Sequence, residues 1–553
     1  MSILTLMLLV PIAGAFAIAF AAPARAYAIA CISSAVGVIL GVLFAFQFEW
    51  TTGATPQLGT FIPLLPDFGI SIRLGVDSVA AWLIVLTQAL QPLCVVGSRT
   101  AITERTRTYY AWLTILQSAM LGVFMAHDLI FFYVCFEFTL IPMYVLISLY
   151  GSTNRKAAAT KFFLYTFTGS IIALAGLVYV ASVAAAQSGQ WTFALDQLQQ
   201  TARSLPLREQ TWVLLALLAG FAVKVPLFPL HTWLPLAHTE APTAGSVILA
   251  GVLLKLGTYA IFRFVIPFVP AAVVEHADTI AIICIVGILY GGLICWVQRD
   301  VKKLVAYSSV AHLGFCMLGM FALNIVGGVG SVLYMINHGL STGALFFCIG
   351  MIYERYHTRS LEELGGLAAR MPVWAFFMVF FTMASVGLPG LNGFVSEFMC
   401  LLGAFQSGAG RIGAGATHGT LGPWYAAVAG VGMIVAAIYL LFMVGRVVFG
   451  PLKEPAGHAS HDPHHPNDQH AHHGPLPTDL STREIAVLAP LALACIILGV
   501  YPTPVIRSLE PSVGVAIAPA VELLKNPASP GATSMSGPEV PAATIVAHEG
   551  GAQ

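Results

Sequence analysis

AVKVPLFPLHTWLP, residues 222–235, places a lysine and three prolines inside an otherwise apolar run. Lys224 carries a positive charge, and each proline lacks the backbone N–H group that a helix needs. Lipid offers no partner for a charge, or for a carbonyl group that a broken helix leaves unpaired. The stretch therefore predicts a helix that breaks inside a membrane protein, where protein or water surrounds the lysine.

The composition of the whole chain indicates the same environment. The 553 residues are 58% hydrophobic and only 9% charged, with a mean hydropathy of +0.84, whereas soluble domains carry roughly 25% charged residues. The formal net charge is zero and there is no basic run, so nothing indicates a nucleic-acid partner. The nine cysteines are scattered without a CxxC pair. This favours packing residues over a zinc or iron–sulfur site.

Fourteen apolar stretches are each long enough to span a bilayer as a helix, which takes about 20 residues. They cover residues 2–21, 27–48, 77–97, 109–126, 128–150, 160–185, 211–236, 242–266, 277–298, 301–323, 327–352, 373–405, 424–449 and 484–505. The first stretch has no positive charge before Arg25, so we predict an uncleaved helix whose N-terminus lies on the outer side of the membrane. Residues 51–75 predict an external hairpin or loop.

The basic residues set the predicted orientation. With the N-terminus outside, 16 of the 25 Lys and Arg residues fall in inner loops and seven fall outside. This excess on the inner side is what the positive-inside rule expects. The two remaining cations, Lys224 and Lys255, lie within predicted membrane segments.

Six ionisable residues lie at a similar predicted depth in six separate segments. They are Glu137, Lys224, Lys255, His312, His338 and Glu397. A single buried histidine or one Glu–Lys pair would be explained by packing. Each central lysine costs roughly 2.5–3.5 kcal/mol on insertion, so six such groups favour a polar line along the membrane midplane. Carboxylate, ammonium and imidazole groups all exchange protons, which predicts proton transfer and argues against a bulky solute or sodium.

A second interrupted helix predicts an internal repeat. SVGLPGLNGFVSEF, residues 385–398, breaks segment twelve just before Glu397. Segments seven and twelve are five apart, and five is odd, so they cross the membrane in opposite directions. We therefore predict an all-α polytopic fold of about 14 transmembrane helices, with two inverted five-helix repeats (segments 4–8 and 9–13), each with a broken helix.

The predicted boundaries follow from these segments. The N-terminal part (1–108) holds helices 1–3 and the external hairpin. The two repeats occupy residues 109–266 and 277–449. They are followed by a His-rich inner loop (450–482), a last helix (484–505) and a C-terminal tail (506–553). Seven of the 16 histidines lie in residues 457–475. Metal binding or proton buffering there remains an alternative to a plain surface tract. The tail is expected to hold at most a short amphipathic stretch.

Three long stretches resemble the antiporter-like subunits of respiratory complex I. They are FFYVCFEFTLIPMYVLI (131–147), AVKVPLFPLHTWLPLAHTEAPTAGSVILAGVLLKLGTY (222–259) and QRDVKKLVAYSSVAHLGFCMLG (298–319). The resemblance covers about residues 74–450. It implies that the chain is a proton-translocating membrane subunit of an NADH–quinone oxidoreductase. Within this family, Glu397 is similar to the subunit type that has a glutamate, and not a lysine, in segment twelve.

The resemblance also implies roles for the polar line. Glu137 would pair with Lys224, and Lys255 would be the central lysine. The two histidines of the line would connect it to Glu397, from which a proton would leave. His231 and His238, which flank the break in segment seven, are weaker candidates for relaying protons.

The family carries its electrons elsewhere. Flavin and iron–sulfur clusters lie in a peripheral arm and quinone is reduced in partner subunits, so the resemblance implies no cofactor and no metal in this chain. Its expected partners are other membrane-arm subunits, especially neighbouring antiporter-like ones, in a bacterial inner membrane. Subunits of a multi-subunit sodium/proton antiporter or of a membrane-bound hydrogenase complex are the alternatives, and a structural scaffold with vestigial charges is a third.

Overall fold

The computed structural model describes residues 2–408, 417–453, 455 and 478–526. The His-rich stretch 457–475 and the tail beyond residue 526 lie outside these residues. The N-terminal part comprises α1 (Ile3–Phe20), α2 (Pro23–Gln47), β1 (Gln57–Leu65), β2 (Ile70–Val76) and α3 (Ser78–Gly97). The two strands pair antiparallel, so the predicted external hairpin is confirmed as a hairpin.

The two repeats follow in chain order. The first contains α4 (Thr106–Met125), α5 (Leu129–Phe138), α6 (Leu140–Tyr150), α7 (Arg155–Ser188), α8 (Leu195–Ser204), α9 (Leu207–Lys224), α10 (Leu234–Glu240), α11 (Thr243–Ile248) and α12 (Leu254–Ala260). Two π-helical turns, Leu249–Leu253 and Ile261–Val265, flank α12. The second contains α13 (Pro270–Trp296), α14 (Val301–Phe321), α15 (Ile325–Tyr356), α16 (Pro372–Val386), α17 (Asn392–Gln406) and α18 (Pro423–Val447), and α19 (Thr482–Val500) and α20 (Thr503–Lys525) end the described chain.

The helical membrane architecture is confirmed. Within the described residues, 11 helical spans are long and apolar enough to cross a membrane. The three other predicted segments correspond to α4 and to the interrupted helices α9–α10 and α16–α17. Segment five differs in detail because α5 ends at Phe138 and α6 begins at Leu140, with Thr139 at the junction.

The two repeats share one arrangement around their broken segments. In each group of five segments the fourth is the broken one, and the third segment packs along it: α7 along α9, and α15 along α17. An odd number of crossings separates the two broken segments, which makes the repeats inverted. The most buried helices are α15 and the span Thr243–Val265, in which every residue of the most apolar 18-residue stretch is buried, whereas fewer than half of the residues are buried in the corresponding stretches of α1, α2 and α18.

Glycine allows the two central helices to touch. Gly251 lies in the first π-helical turn and Gly339 in the middle of α15, and a Cβ atom on Gly339 would come within 2.8 Å of the Gly251 carbonyl oxygen. A larger side chain at this point would separate the helices. The sequence therefore sets the backbone distance between the segments that carry Lys255 and His338.

The predicted C-terminal tail needs correction. Residues 503–525 form α20, a 23-residue helix that packs on α3, α13 and α15. The Ser508 hydroxyl accepts from Trp82 at 2.8 Å, and the Ser512 and Ser78 hydroxyls lie 2.7 Å apart. Two prolines inside the helix and its many small residues hid it from sequence analysis. Contacts to the α3 region, and not intrinsic helix propensity, hold it in place.

Candidate functional site

Lys224 is the last residue of α9, at the helix break that the stretch 222–235 predicts. Its side chain is 4% exposed. The ammonium donates to the Phe136 carbonyl at 3.1 Å and to the Thr139 hydroxyl at 3.2 Å, and it lies 3.6 Å from the centre of the Phe136 ring. A helix C-terminus carries partial negative charge. The C-terminus of α9 at the break thus helps to stabilise the positive charge of Lys224, which lipid alone would not stabilise.

Glu137 does not form the close ion pair with Lys224 that the resemblance implies. The ion pairs within 4 Å among the described residues do not include these two. The Glu137 carboxylate lies beside Tyr133 and Ser170, and the Lys224 charge acts on it from a greater distance. The preceding residue, Phe136, occupies the position next to the ammonium. The two charges are therefore coupled electrostatically and not by contact.

Lys255 lies at the centre of the protein and is fully buried. It is the second residue of α12, two positions after the π-helical turn Leu249–Leu253. Its ammonium donates to the Ala250 carbonyl within that turn and to Nδ1 of His338 at 2.7 Å. A π-helical turn shifts the backbone hydrogen-bond register, and such turns are frequent at functional sites. Sequence analysis found the lysine but not the turn that offers it a carbonyl group.

The two histidines of the line lie next to each other. The ring centres of His312 and His338 are 5.8 Å apart, and both side chains are 3% exposed. His312 Nδ1 lies 2.8 Å from the Tyr334 hydroxyl. The Nε2 atoms of both histidines have no hydrogen-bond partner among the described residues. Sequence analysis missed Tyr334, although it lies one helical turn before His338 and therefore on the same face of α15.

Glu397 lies in α17, just beyond the second break, and is 1% exposed. One carboxylate oxygen, Oε1, has no hydrogen-bond partner in the part of the chain that the structure describes. Gly387 ends α16 with a φ of +83°, and a Cβ atom there would lie 2.9 Å from Oε2 of Glu397. The break therefore leaves open the space into which the carboxylate extends.

Two asparagines hold the second break against α15. Asn337 Nδ2 donates to the Asn392 carbonyl at 2.7 Å and to the Ser396 hydroxyl at 3.0 Å, and Asn392 Nδ2 donates to the Asn337 carbonyl at 3.2 Å. All three side chains are fully buried. These bonds fix the start of α17, and hence Glu397, relative to the histidines. Sequence analysis did not identify this clamp.

The two weaker candidates lie in different surroundings. His238 is fully buried and stacks on Phe346 of α15 at 4.8 Å. Lys302 and Lys255 are the charges that act on it. His231 instead contacts aromatic rings of α13 and α14. Both ring nitrogens of His238 lack a hydrogen-bond partner among the described residues.

Lys302 is a buried cation that sequence analysis assigned to an inner loop. It is 8% exposed and donates to the Ala241 carbonyl at 2.5 Å, next to the C-terminus of α10. Arg359 donates to the neighbouring Thr239 carbonyl and lies 3.4 Å from Asp300. The predicted inner end of the broken segment is thus tied to the start of α14.

A separate charged group anchors the predicted outer side. Arg263, in the second π-helical turn, pairs with Asp77 at 2.7 Å, and its Nη2 atom lies 2.9 Å from Nε2 of His127. Burial, reinforced by the Arg263 charge, holds the pKa of His127 well below its usual value. His127 is therefore neutral at physiological pH and accepts from the guanidinium.

The described residues contain no group of three or more His, Cys, Asp or Glu side chains placed to hold a metal ion. What the centre does contain is a series of proton-exchanging groups on different helices. Lys255, His338, His312 and Tyr334 are joined by successive contacts, with Glu397 on the far side of the second break.

Comparisons with known proteins agree with this geometry. The family described as "NADH:quinone oxidoreductase/Mrp antiporter, TM" matches residues 126–421. The NADH-quinone oxidoreductase subunit M of Rhodobacter capsulatus is 41% identical over 451 residues, which cover 80% of this chain and 82% of the relative. The NADH-ubiquinone oxidoreductase chain 4 of Marchantia polymorpha is 38% identical over 482 residues, with coverages of 87% and 89%.

Solved structures show the same architecture. A chain of respiratory complex I from Thermus thermophilus with bound NADH superposes with a TM-score of 0.79 at 28% identity, covering 94% of this chain and 99% of that chain. A chain of the Mrp complex from Dietzia sp. DQ12-45-1b gives a TM-score of 0.76 at 21% identity, covering 94% and 98%, which is a likeness of fold alone. The chain therefore belongs to the NADH:quinone oxidoreductase/Mrp antiporter family of transmembrane proteins, in the group that contains the subunit M and chain 4 proteins.

Proposed function

We propose that this chain is a proton-translocating membrane-arm subunit of an NADH–quinone oxidoreductase. Quinone reduction elsewhere in the complex drives protons through its midplane line of Glu, Lys and His residues. One observation carries the proposal: the buried, successive contacts of Lys255, His338 and His312. A scaffold would have no use for three adjoining proton-exchanging groups, since an apolar core packs as well and avoids their desolvation cost.

The residues have distinct roles in this mechanism. Lys224 holds a proton at the first break, and a change of charge at Glu137 alters how firmly it is held, because the two interact without sharing a proton. The proton of Lys255 passes to Nδ1 of His338, which already accepts a hydrogen bond from it. Glu397 is the terminal acceptor. His238 and Lys302 connect Lys255 to the inner side, whereas His231 is left out of the route.

The environment of the subunit follows from the same assignment. We infer an inner-membrane location with the N-terminus on the outer side, as the charge distribution favours. The partners are other membrane-arm subunits, and the redox centres are theirs. The cysteines are scattered without a CxxC pair, a pattern that favours packing residues over the clustered thiolates of an iron–sulfur site.

Proton pumping in reconstituted complex tests the proposal. Lys224→Ala and Glu137→Ala are each expected to lower the number of protons translocated per electron while leaving assembly intact. Removing a proton-transfer group slows a step by about 10²-fold or more. Lys156→Ala, which removes an exposed cation outside the line, serves as the control and is expected to pump normally. Wild-type ratios in both variants of the line would refute the proposal.

The family also includes antiporter subunits, and purification distinguishes the two. Isolation of the native complex with flavin- and iron–sulfur-containing subunits supports the oxidoreductase. A membrane-bound hydrogenase complex would bring different redox partners. Isolation with antiporter subunits alone, and no redox centre, would assign the chain to a sodium/proton antiporter.

A further inference from the structure

The polar line predicted from the sequence changes helix between His312 and Glu397. His312 lies on α14 and Glu397 on α17, and α15 packs against both. Tyr334 of α15 is 4% exposed and places its hydroxyl 2.8 Å from His312 Nδ1. α15 contacts α17 on both sides of Tyr334, because Asn337 donates to the Ser396 hydroxyl at 3.0 Å and a Cβ atom on Gly330 would lie 2.9 Å from the Cys400 backbone nitrogen. Tyr334 therefore contacts His312 and lies on the stretch of α15 that packs along the part of α17 carrying Glu397.

The hydrogen bond from Lys255 restricts how protons can be arranged on the two histidines. An ammonium group only donates, so Nδ1 of His338 accepts and the neutral ring carries its own proton on Nε2. For that proton to reach His312, Nε2 of His312 must be free to accept it. His312 then carries its proton on Nδ1, the atom that faces Tyr334, and donates to the hydroxyl oxygen.

We propose that Tyr334 is the proton-transfer group that joins His312 to Glu397, an inference that rests on the proposed function above. When His312 receives a proton at Nε2, it gives up its Nδ1 proton to the Tyr334 oxygen. In the same event the Tyr334 hydroxyl proton moves toward the Glu397 carboxylate, which becomes a carboxylic acid. Tyrosine is neutral before and after the step, His312 returns to the neutral state, and no electron is exchanged.

A purely structural hydrogen bond is the alternative, and the surroundings argue against it. The Asn337–Asn392 clamp already ties α15 to the second break, so Tyr334 is not needed for that purpose. A phenylalanine would fill the same space. The hydroxyl would then serve only to satisfy His312 Nδ1, while His312 Nε2 has no partner among the described residues. A histidine fixed for packing would be expected to have both nitrogens satisfied.

The test compares variants of the complete complex in proteoliposomes. Tyr334→Phe keeps the ring and removes the hydroxyl, and Tyr334→Met provides a second hydroxyl-free variant with a flexible side chain. We expect proton transfer through this subunit to slow by about 10²-fold, with NADH oxidation unchanged once the gradient is collapsed. Tyr334→His, whose imidazole both accepts and donates protons, should restore part of the pumping. Tyr259→Phe is the matched control, since Tyr259 is another buried tyrosine, and its hydroxyl donates to the Phe124 carbonyl at 3.2 Å.

Glu397→Gln, measured in parallel, separates the two proposals. Normal pumping in Glu397→Gln would contradict the proposed function itself. Loss of pumping in Glu397→Gln with normal pumping in Tyr334→Phe or Tyr334→Met would overturn only the role of Tyr334. Equal losses in Tyr334→Phe and Tyr259→Phe would also overturn it, because the effect would then follow from removing any buried hydroxyl.

Discussion

The ammonium of Lys255 and the Nδ1 atom of His338 lie 2.7 Å apart between the two most buried helices, α15 and the span Thr243–Val265. Gly251 and Gly339 allow those helices to touch, and the π-helical turn before Lys255 presents the Ala250 carbonyl to the same ammonium. Backbone geometry thus brings Lys255 and His338 together.

Gly387 is predicted to control the position of the terminal acid. A Cβ atom at this residue would lie 2.9 Å from Oε2 of Glu397, on a backbone with a φ of +83°. Gly387→Ala should therefore displace the carboxylate and also incur about 1–2 kcal/mol of left-handed backbone strain. The expected result is a lower ratio of protons pumped per electron in proteoliposomes.

Gly390 provides the control for that experiment. Its φ is +94°, but a Cβ atom there would meet nothing within 4 Å. Gly390→Ala should show a similar loss of thermal stability with near-normal pumping. Identical pumping in the two variants would mean that contact with Glu397 has no functional effect.

The ion pair of Arg355 with Glu484 is predicted to hold α15 to α19. The two parallel bonds are each 2.8 Å, the side chains are 15% and 7% exposed, and Glu484 also closes the capping box of α19. Arg355→Ala leaves a mostly buried carboxylate unpaired. We expect the free energy of unfolding to fall by about 2–4 kcal/mol. This is somewhat less than for a fully buried pair, because both side chains keep some exposure.

Thermal melting of the detergent-solubilised complex measures this effect. Arg299→Ala is the comparison, since its pair with Glu362 is 84% and 64% exposed at 3.5 Å and should contribute nothing measurable. A melting temperature for Arg355→Ala as high as that for Arg299→Ala would show that the α15–α19 pair is not stabilising.

A buried amide pair between α3 and α4 gives a test by double-mutant cycle. Gln117 donates to the Gln88 side-chain oxygen at 2.6 Å, and the two residues are 0% and 3% exposed. Gln88→Leu alone leaves the Gln117 amide without its partner and should cost about 1–3 kcal/mol. The double replacement by leucine should be closer to wild type than the sum of the single changes. Additive losses in melting temperature would contradict this coupling.

Topology was predictable from the sequence because hydrophobic length and proline position are local properties. The stretch 222–235 gave the break at Lys224, and counting from it gave the matching break before Glu397. Some predicted helix boundaries were wrong, because local sequence signals did not mark them. α13 begins at Pro270 and not at 277, and α20 forms despite its prolines. In α20 the deciding contacts come from residues more than 400 positions away.

The buried ionisable residues of the predicted polar line were easy to find in the sequence, because a charge in an apolar segment is conspicuous. Their contacts were not. Three contacts depend on how helices from distant parts of the chain pack. They are the contact of Phe136 with the Lys224 ammonium, that of the Ala250 carbonyl with Lys255, and that of the Tyr334 hydroxyl with His312. Tyr334 and the Asn337–Asn392 clamp are uncharged, so nothing in composition marked them among the many polar residues of the sequence.

The most direct test is the proton-to-electron ratio of complex that carries Lys255→Met, reconstituted in proteoliposomes. Methionine matches the length of the lysine stem but can neither hold a proton nor donate to His338. The predicted result is a ratio below that of the wild type, with unchanged NADH oxidation when an uncoupler collapses the gradient. A wild-type ratio in an assembled Lys255→Met complex would contradict proton transfer through this line.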